Sequence, residues 1–183
     1  MPSLPAVSLG TVLVVIFVSA AMIGERAHDV FFNMKRHQSL YPLSHDHHHA
    51  LAQALNLDKT EAGDDQAVFR EAAARFADFW ESDLQRHFAQ EEQIVLPLLA
   101  KYKAADAPEI RETLEQHSAL ARLMSELNQK LDGQETIEVS LLIKLAESLR
   151  RHIRYEEGVL FPAVEASVPE EELWLMNMRL SDR

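Results

Sequence analysis

The sequence contains no cysteine. Disulfides, iron–sulfur clusters, thiolate zinc sites and covalently attached haem are therefore excluded. Any metal held by this chain must take nitrogen and oxygen ligands. Glycine is scarce, at 5 of 183 residues, and β-branched runs are few after residue 40. Ala, Leu, Glu, Gln and Arg take their place, and these favour helix. Basic residues are a minority too, 18 against 29 acidic ones, for a net charge of −11. Nucleic-acid binding needs clustered Lys and Arg and has no support; an acidic surface mainly implies solubility. There is no Gly-rich phosphate loop and no Gly-x-Ser-x-Gly elbow, so nucleotide use and serine hydrolysis have no support either.

Charge is missing altogether from Met1 to Gly24. Within that stretch, Leu9 to Ile23 is apolar except at Gly10, Thr11 and Ser19. It is short for a spanning helix, which needs roughly 20 residues, and it lacks the basic start of a secretory signal. Two readings stand. If the stretch inserts, Arg26, Lys35 and Arg36 follow it and keep the next domain in the cytoplasm. Alternatively residues 1–33 are a dispensable extension, because the run from Met34 looks like an ordinary soluble N-terminus. Both give a cytoplasmic domain, anchored to a membrane through residues 9–23 only in the first.

What remains is 47% apolar over the whole chain and long enough for one core. Residues 1–39 are expected to be leader and linker, 40–165 a bundle, and 166–183 a short C-terminal helix. The first helix starts after Pro42, with Ser44 as N-cap, and runs to Leu57. Asp58 to Asp65 is a loop. The second helix covers about Gln66 to Leu99, with Pro97 near its end. Asp106 and Pro108 look like a cap and first turn of the third, which ends near Leu131 at Asp132-Gly133. The fourth covers about Glu138 to Leu160, with Pro162 beyond. Ser167 and Glu170 form a capping-box pair for a fifth, over Pro169 to Leu180. Short loops between four long helices predict an all-α, up-down-up-down four-helix bundle.

Histidines and glutamates interrupt the apolar stripes of these helices. In the second, Phe69, Ala73, Phe76, Trp80 and Leu84 lead to His87 and Glu91, then Ile94. In the fourth, Leu142, Leu145 and Leu149 lead to His152 and Glu156, then Val159. Each pair lies on one face, one turn apart. The third helix reads Ile110, Leu114, His117, Ala121, Met124, and the first reads Leu43, His47, Ala50, Ala54, Leu57. Buried His and Glu are costly unless paired or bound to a cation, and a metal pair is the simplest shared partner.

An internal repeat supports this. The segment from His87 to Pro97 aligns with that from His152 to Pro162, with His, both Glu and Pro in register. Each copy is preceded by a lone histidine, His47 or His117. The six candidate metal-binding residues are therefore His47, His87, Glu91, His117, His152 and Glu156. His48, in phase with Leu51 and Leu55, rivals His47. Glu92 and Glu157 fall one step off the stripes, as supporting or solvated groups. A single His-x-x-x-Glu is more often a surface pair, and His117 alone more often a satisfied core histidine; the repeat carries the argument. His28 and His37 precede the bundle and are read as non-functional.

This nitrogen-rich pattern resembles the hemerythrin-like (HHE cation-binding) family over about residues 40 to 165, through Ser-His-Asp-His-His at Ser44 and the two His/Glu/Pro copies. The resemblance implies two irons per chain, bridged by Glu91 and Glu156, with His47, His87, His117 and His152 as terminal ligands. It implies dioxygen or a related small ligand as partner, in sensing, storage or iron handling. The family's oxygen carriers place another histidine one turn after that of the third helix, where this chain has Ala121; that puts oxygen carriage in doubt. Leu84, Leu120, Leu149 and Ile153 are expected to keep water from the site. Two alternatives remain: a di-iron enzyme acting on peroxide or dioxygen, and a structural bundle with no physiological metal.

Overall fold

The structure is a computed structural model that describes residues 36–62 and 65–181. The apolar stretch at 9–23 and the start at Met34 lie outside these residues, and the bundle occupies the unit Lys35–Arg183. Among the described residues there is no strand, and no helix is long and apolar enough to cross a membrane.

Helix α1 is Tyr41–Asp58. Helix α2 runs over residues 66–99, α3 is Pro108–Asp132, α4 runs over 139–167, and α5 is Glu170–Ser181. Near its start α1 meets α4 through His47 and Glu157, and at its end through Asp58 and Arg150, so the two are antiparallel. Pairs between Glu92 and His117 and between Arg70 and Leu131 set α2 against α3 in the same sense. Gln116 with His152 and Lys130 with Glu138 do so for α3 and α4. The expected up-down-up-down bundle results.

Several expected helix ends move. Ser44 lies inside α1, whose first turn carries Pro42, a position where a missing N–H costs nothing. Asp65, expected in the loop, is the side-chain cap of α2 and accepts from the Ala67 N–H. Ala107 rather than Asp106 precedes α3, with Pro108 in its first turn. Ser167 belongs to α4, so the capping box with Glu170 does not form.

Pro162 does not end α4, and the reason lies in a π turn. Residues Glu156–Leu160 form one, and Glu91–Val95 form its counterpart before Pro97 in α2. A π turn widens the helix by one residue, giving room for the proline ring that would otherwise strike a carbonyl one turn back. The extra residue also shifts the buried stripe. After Glu91 it passes to Val95 instead of Ile94, and after Glu156 to Leu160 (0% exposed) instead of Val159 (41%).

The core falls into two apolar clusters. One contains Ala54, Leu57, Phe76, Leu127, Leu142 and Leu145. The other contains Leu43, Val95, Leu99, Leu160 and Val164, and α5 adds Leu173, Met176 and Leu180 to it. Residues Arg36 to Ser39, expected in the linker, pack on the bundle as well: Ser39 is buried, and Arg36 pairs with Glu157 at 2.8 Å and Glu165 at 3.1 Å.

Candidate metal centre

Along the bundle, a layer of polar side chains separates the two apolar clusters. His47, His87, Glu91, His117, His152 and Glu156 are all at most 4% exposed. His47 faces inward and His48 is exposed on the outer face of α1. On α3 the inward face is Thr113, Gln116, His117 and Leu120, while Leu114 and Ala121 are exposed. The position that the sequence reading assigns to a missing ligand, Ala121, therefore points away from the layer.

The six side chains form two clusters that share both carboxylates. His47, His87, Glu91 and Glu156 make one; Glu91, His117, His152 and Glu156 make the other. Glu156 turns Oε2 to His47 Nε2 at 3.0 Å and Oε1 to His152 Nε2 at 3.2 Å. Glu91 turns Oε1 to His87 Nε2 at 3.5 Å and Oε2 to His117 Nε2 at 3.3 Å. Each carboxylate thus gives one oxygen to each histidine pair. Donors bound to an ion at about 2.1 Å sit about 3 Å apart when neighbouring, so this spacing fits a cation in each cluster. Both oxygens of Glu91 and of Glu156, and Nε2 of His117 and His152, are buried without a hydrogen-bond partner among the described residues. Groups so placed call for a partner that protein atoms do not supply.

The other ring nitrogens explain why every Nε2 points inward. His47 Nδ1 donates to Glu157 Oε1 at 2.7 Å, and His117 Nδ1 to Glu92 Oε1 at 2.8 Å. His87 Nδ1 faces Asp46 at 3.6 Å. His152 Nδ1 faces Gln116 Oε1 at 3.2 Å, with that amide oriented by its own donation to Glu112. A proton held on Nδ1 leaves the Nε2 lone pair free for a cation, and acidic partners raise its basicity. Two rings are also clamped by aromatic stacking, Phe161 on His47 and Phe88 on His117 at 4.0 Å. The sequence reading names Glu92 and Glu157 as supporting or solvated groups but misses Asp46, Gln116, Phe88, Phe161 and Arg36. Of these, only the adjacency of Asp46 to His47 gave a visible signal.

Electrostatics of the bare protein agree. Burial alone would lower His87 and His117, but Glu91 and Glu156, with Asp46 beside His87, carry both up to about 10. Burial drives His152 down to about 3, against the pull of Glu156. Burial and the Glu156 charge push Glu91 upward. Burial would raise Glu157, yet the His47 hydrogen bond, with Ser44 and Arg36, brings it to about 2. Two carboxylates forced together in a dry layer favour positive charge beside them.

A closed helical bundle whose middle layer is two His/Glu clusters is built to bind cations. Residues 39–164 match the Hemerythrin HHE cation binding domain, and the chain belongs to that family. No curated protein and no solved structure matches it.

Proposed function

We propose that this protein holds two irons between His47, His87, His117, His152, Glu91 and Glu156, and uses them to bind dioxygen or a related small ligand in sensing, storage or iron handling. The observation that carries this reading is the sharing of both carboxylates, one oxygen to each histidine pair. Four imidazoles, two carboxylates and no thiolate suit iron better than a soft metal. Such a pair would supply electrons two at a time to an oxidising ligand. The chain's own part is to hold, orient and dry the site. Glu157, Glu92 and Gln116 fix three of the imidazoles by hydrogen bonds, and the Asp46 carboxylate faces the fourth, that of His87. Leu84, Leu120, Leu149 and Ile153, all buried, exclude water on one side of the layer.

The test is metal analysis with an absorption spectrum of protein produced in iron-rich medium. About two irons per chain and the near-ultraviolet bands of a coupled iron pair support the reading; zinc, or no metal, overturns it. A stable, reversible dioxygen adduct then marks a binding protein, whereas sustained consumption of hydrogen peroxide marks an enzyme.

A further inference from the structure

We propose that Arg36, which precedes the bundle in sequence, is a positioning residue for the metal centre and fixes His47 through both Glu157 and Phe161. The inference rests on the metal-binding reading above and adds a group from outside residues 39–164, the stretch that matches the family.

The Arg36 side chain is only 8% exposed, and its contacts converge on the residues behind His47. Nη2 donates to Glu157 Oε2 at 2.8 Å, while Glu157 Oε1 accepts from His47 Nδ1 at 2.7 Å. Both oxygens of that carboxylate are thereby held, and with them the orientation of the imidazole. The guanidinium also lies over the Phe161 ring, 5.2 Å from its centroid, within the range of a cation–π contact. The same ring stacks on His47, with centroids 5.4 Å apart and planes 6° from parallel. Arg36 itself is anchored by Glu165. One oxygen of Glu165 accepts from Nη1 at 3.1 Å, and the other accepts from the His37 N–H at 2.7 Å.

The π turn of α4 explains why a donor is needed at this point. The Phe161 N–H bonds to the Glu156 carbonyl five residues back. Pro162 has no N–H to offer the Glu157 carbonyl in the same way. Arg36 Nη2 donates to that carbonyl at 2.7 Å instead, where a carbonyl left open inside a packed helix would be costly. One guanidinium therefore secures the backbone, the carboxylate and the aromatic ring that together hold His47. The other copy of the internal repeat lacks this device. There the Leu96 N–H bonds to the Glu91 carbonyl and Pro97 follows, yet no arginine pairs with Glu92 among the described residues. The Glu92 side chain is accordingly 44% exposed, against 12% for Glu157.

The experiment titrates metal-free protein with Co²⁺ alone against a competing chelator and records the visible spectrum of the bound ion, which reports its ligand geometry. Arg36→Met is compared with the parent and with Arg150→Met, which breaks a pair with Asp58 at the far end of α1, away from the layer. Arg36→Met should bind Co²⁺ about 10-fold more weakly, the lower end of the range for losing a group behind a metal-bound imidazole, and should shift the spectrum. Arg150→Met should keep the parent affinity and spectrum even where its metal-free thermal midpoint falls. Arg36→Lys keeps the charge but cannot bridge Glu157 and Glu165 while lying flat on Phe161; it covers an Arg36→Met chain that does not fold and should show the same spectral shift. Parent-like affinity and spectrum in the Arg36 variants, or equal weakening by Arg150→Met, overturns the positioning role while leaving the centre intact. A parent chain that takes up no Co²⁺ overturns both.

Discussion

Individual side chains here have two faces, one toward the layer and one toward a partner that holds them. Glu157 shows this most clearly, since it accepts from His47 and is itself gripped by Arg36. Replacing Glu157 with Gln should weaken cation binding by roughly 10–100-fold, the usual cost of losing a carboxylate behind a metal-bound imidazole. Glu92→Gln should cost less, because Glu92 is 44% exposed and water can substitute for it. Competition titration with a chelator measures both, and equal losses would count against the argument. The six inward residues were legible in the sequence because each replaces an apolar residue on a regular stripe. Asp46 and Gln116 were not, since their roles depend on rotamers and on another helix. The α3 stripe misled at Leu114 and Ala121 because Thr113 and Gln116 are polar yet buried, satisfied by Glu109, Glu112 and His152.

At the scale of elements, the number and order of the helices followed from apolar periodicity, but π turns have no signature in a 3.6-residue pattern. Hence Ile94 and Val159 were expected in the core, where Val95 and Leu160 lie. The Glu–Glu–x–x–x–x–Pro run common to both copies was the available clue, since a proline inside a continuing helix demands a wider turn before it. This has a thermodynamic consequence. Proline in a regular helix interior costs about 3 kcal/mol, but at Pro162 the π turn has already absorbed the distortion. Pro162→Ala should therefore change stability by less than about 1 kcal/mol, the ordinary spread of helix propensity. Chemical denaturation of the variant and parent measures it, and a gain near 3 kcal/mol would show that the proline strains α4.

For the molecule as a whole, the polar layer divides an otherwise continuous core, and the bare protein must keep that layer buried without a cation. Metal should act as a folding ligand: at 100 times its dissociation constant one ion adds about 2.7 kcal/mol. Thermal unfolding should shift upward on loading and back on chelation, and an unchanged midpoint would mean that no ion occupies the layer. The general architecture was readable from loop lengths and stripes. The docking of Arg36 to Ser39 was not, because a single buried arginine with two acidic partners leaves no pattern in sequence. The sharing of Glu91 and Glu156 reaches further than stability. Once one cation has drawn both carboxylates into place, its neighbour meets half of its ligands already ordered, so the pair should fill cooperatively, with singly occupied chains scarce at every stage of a titration.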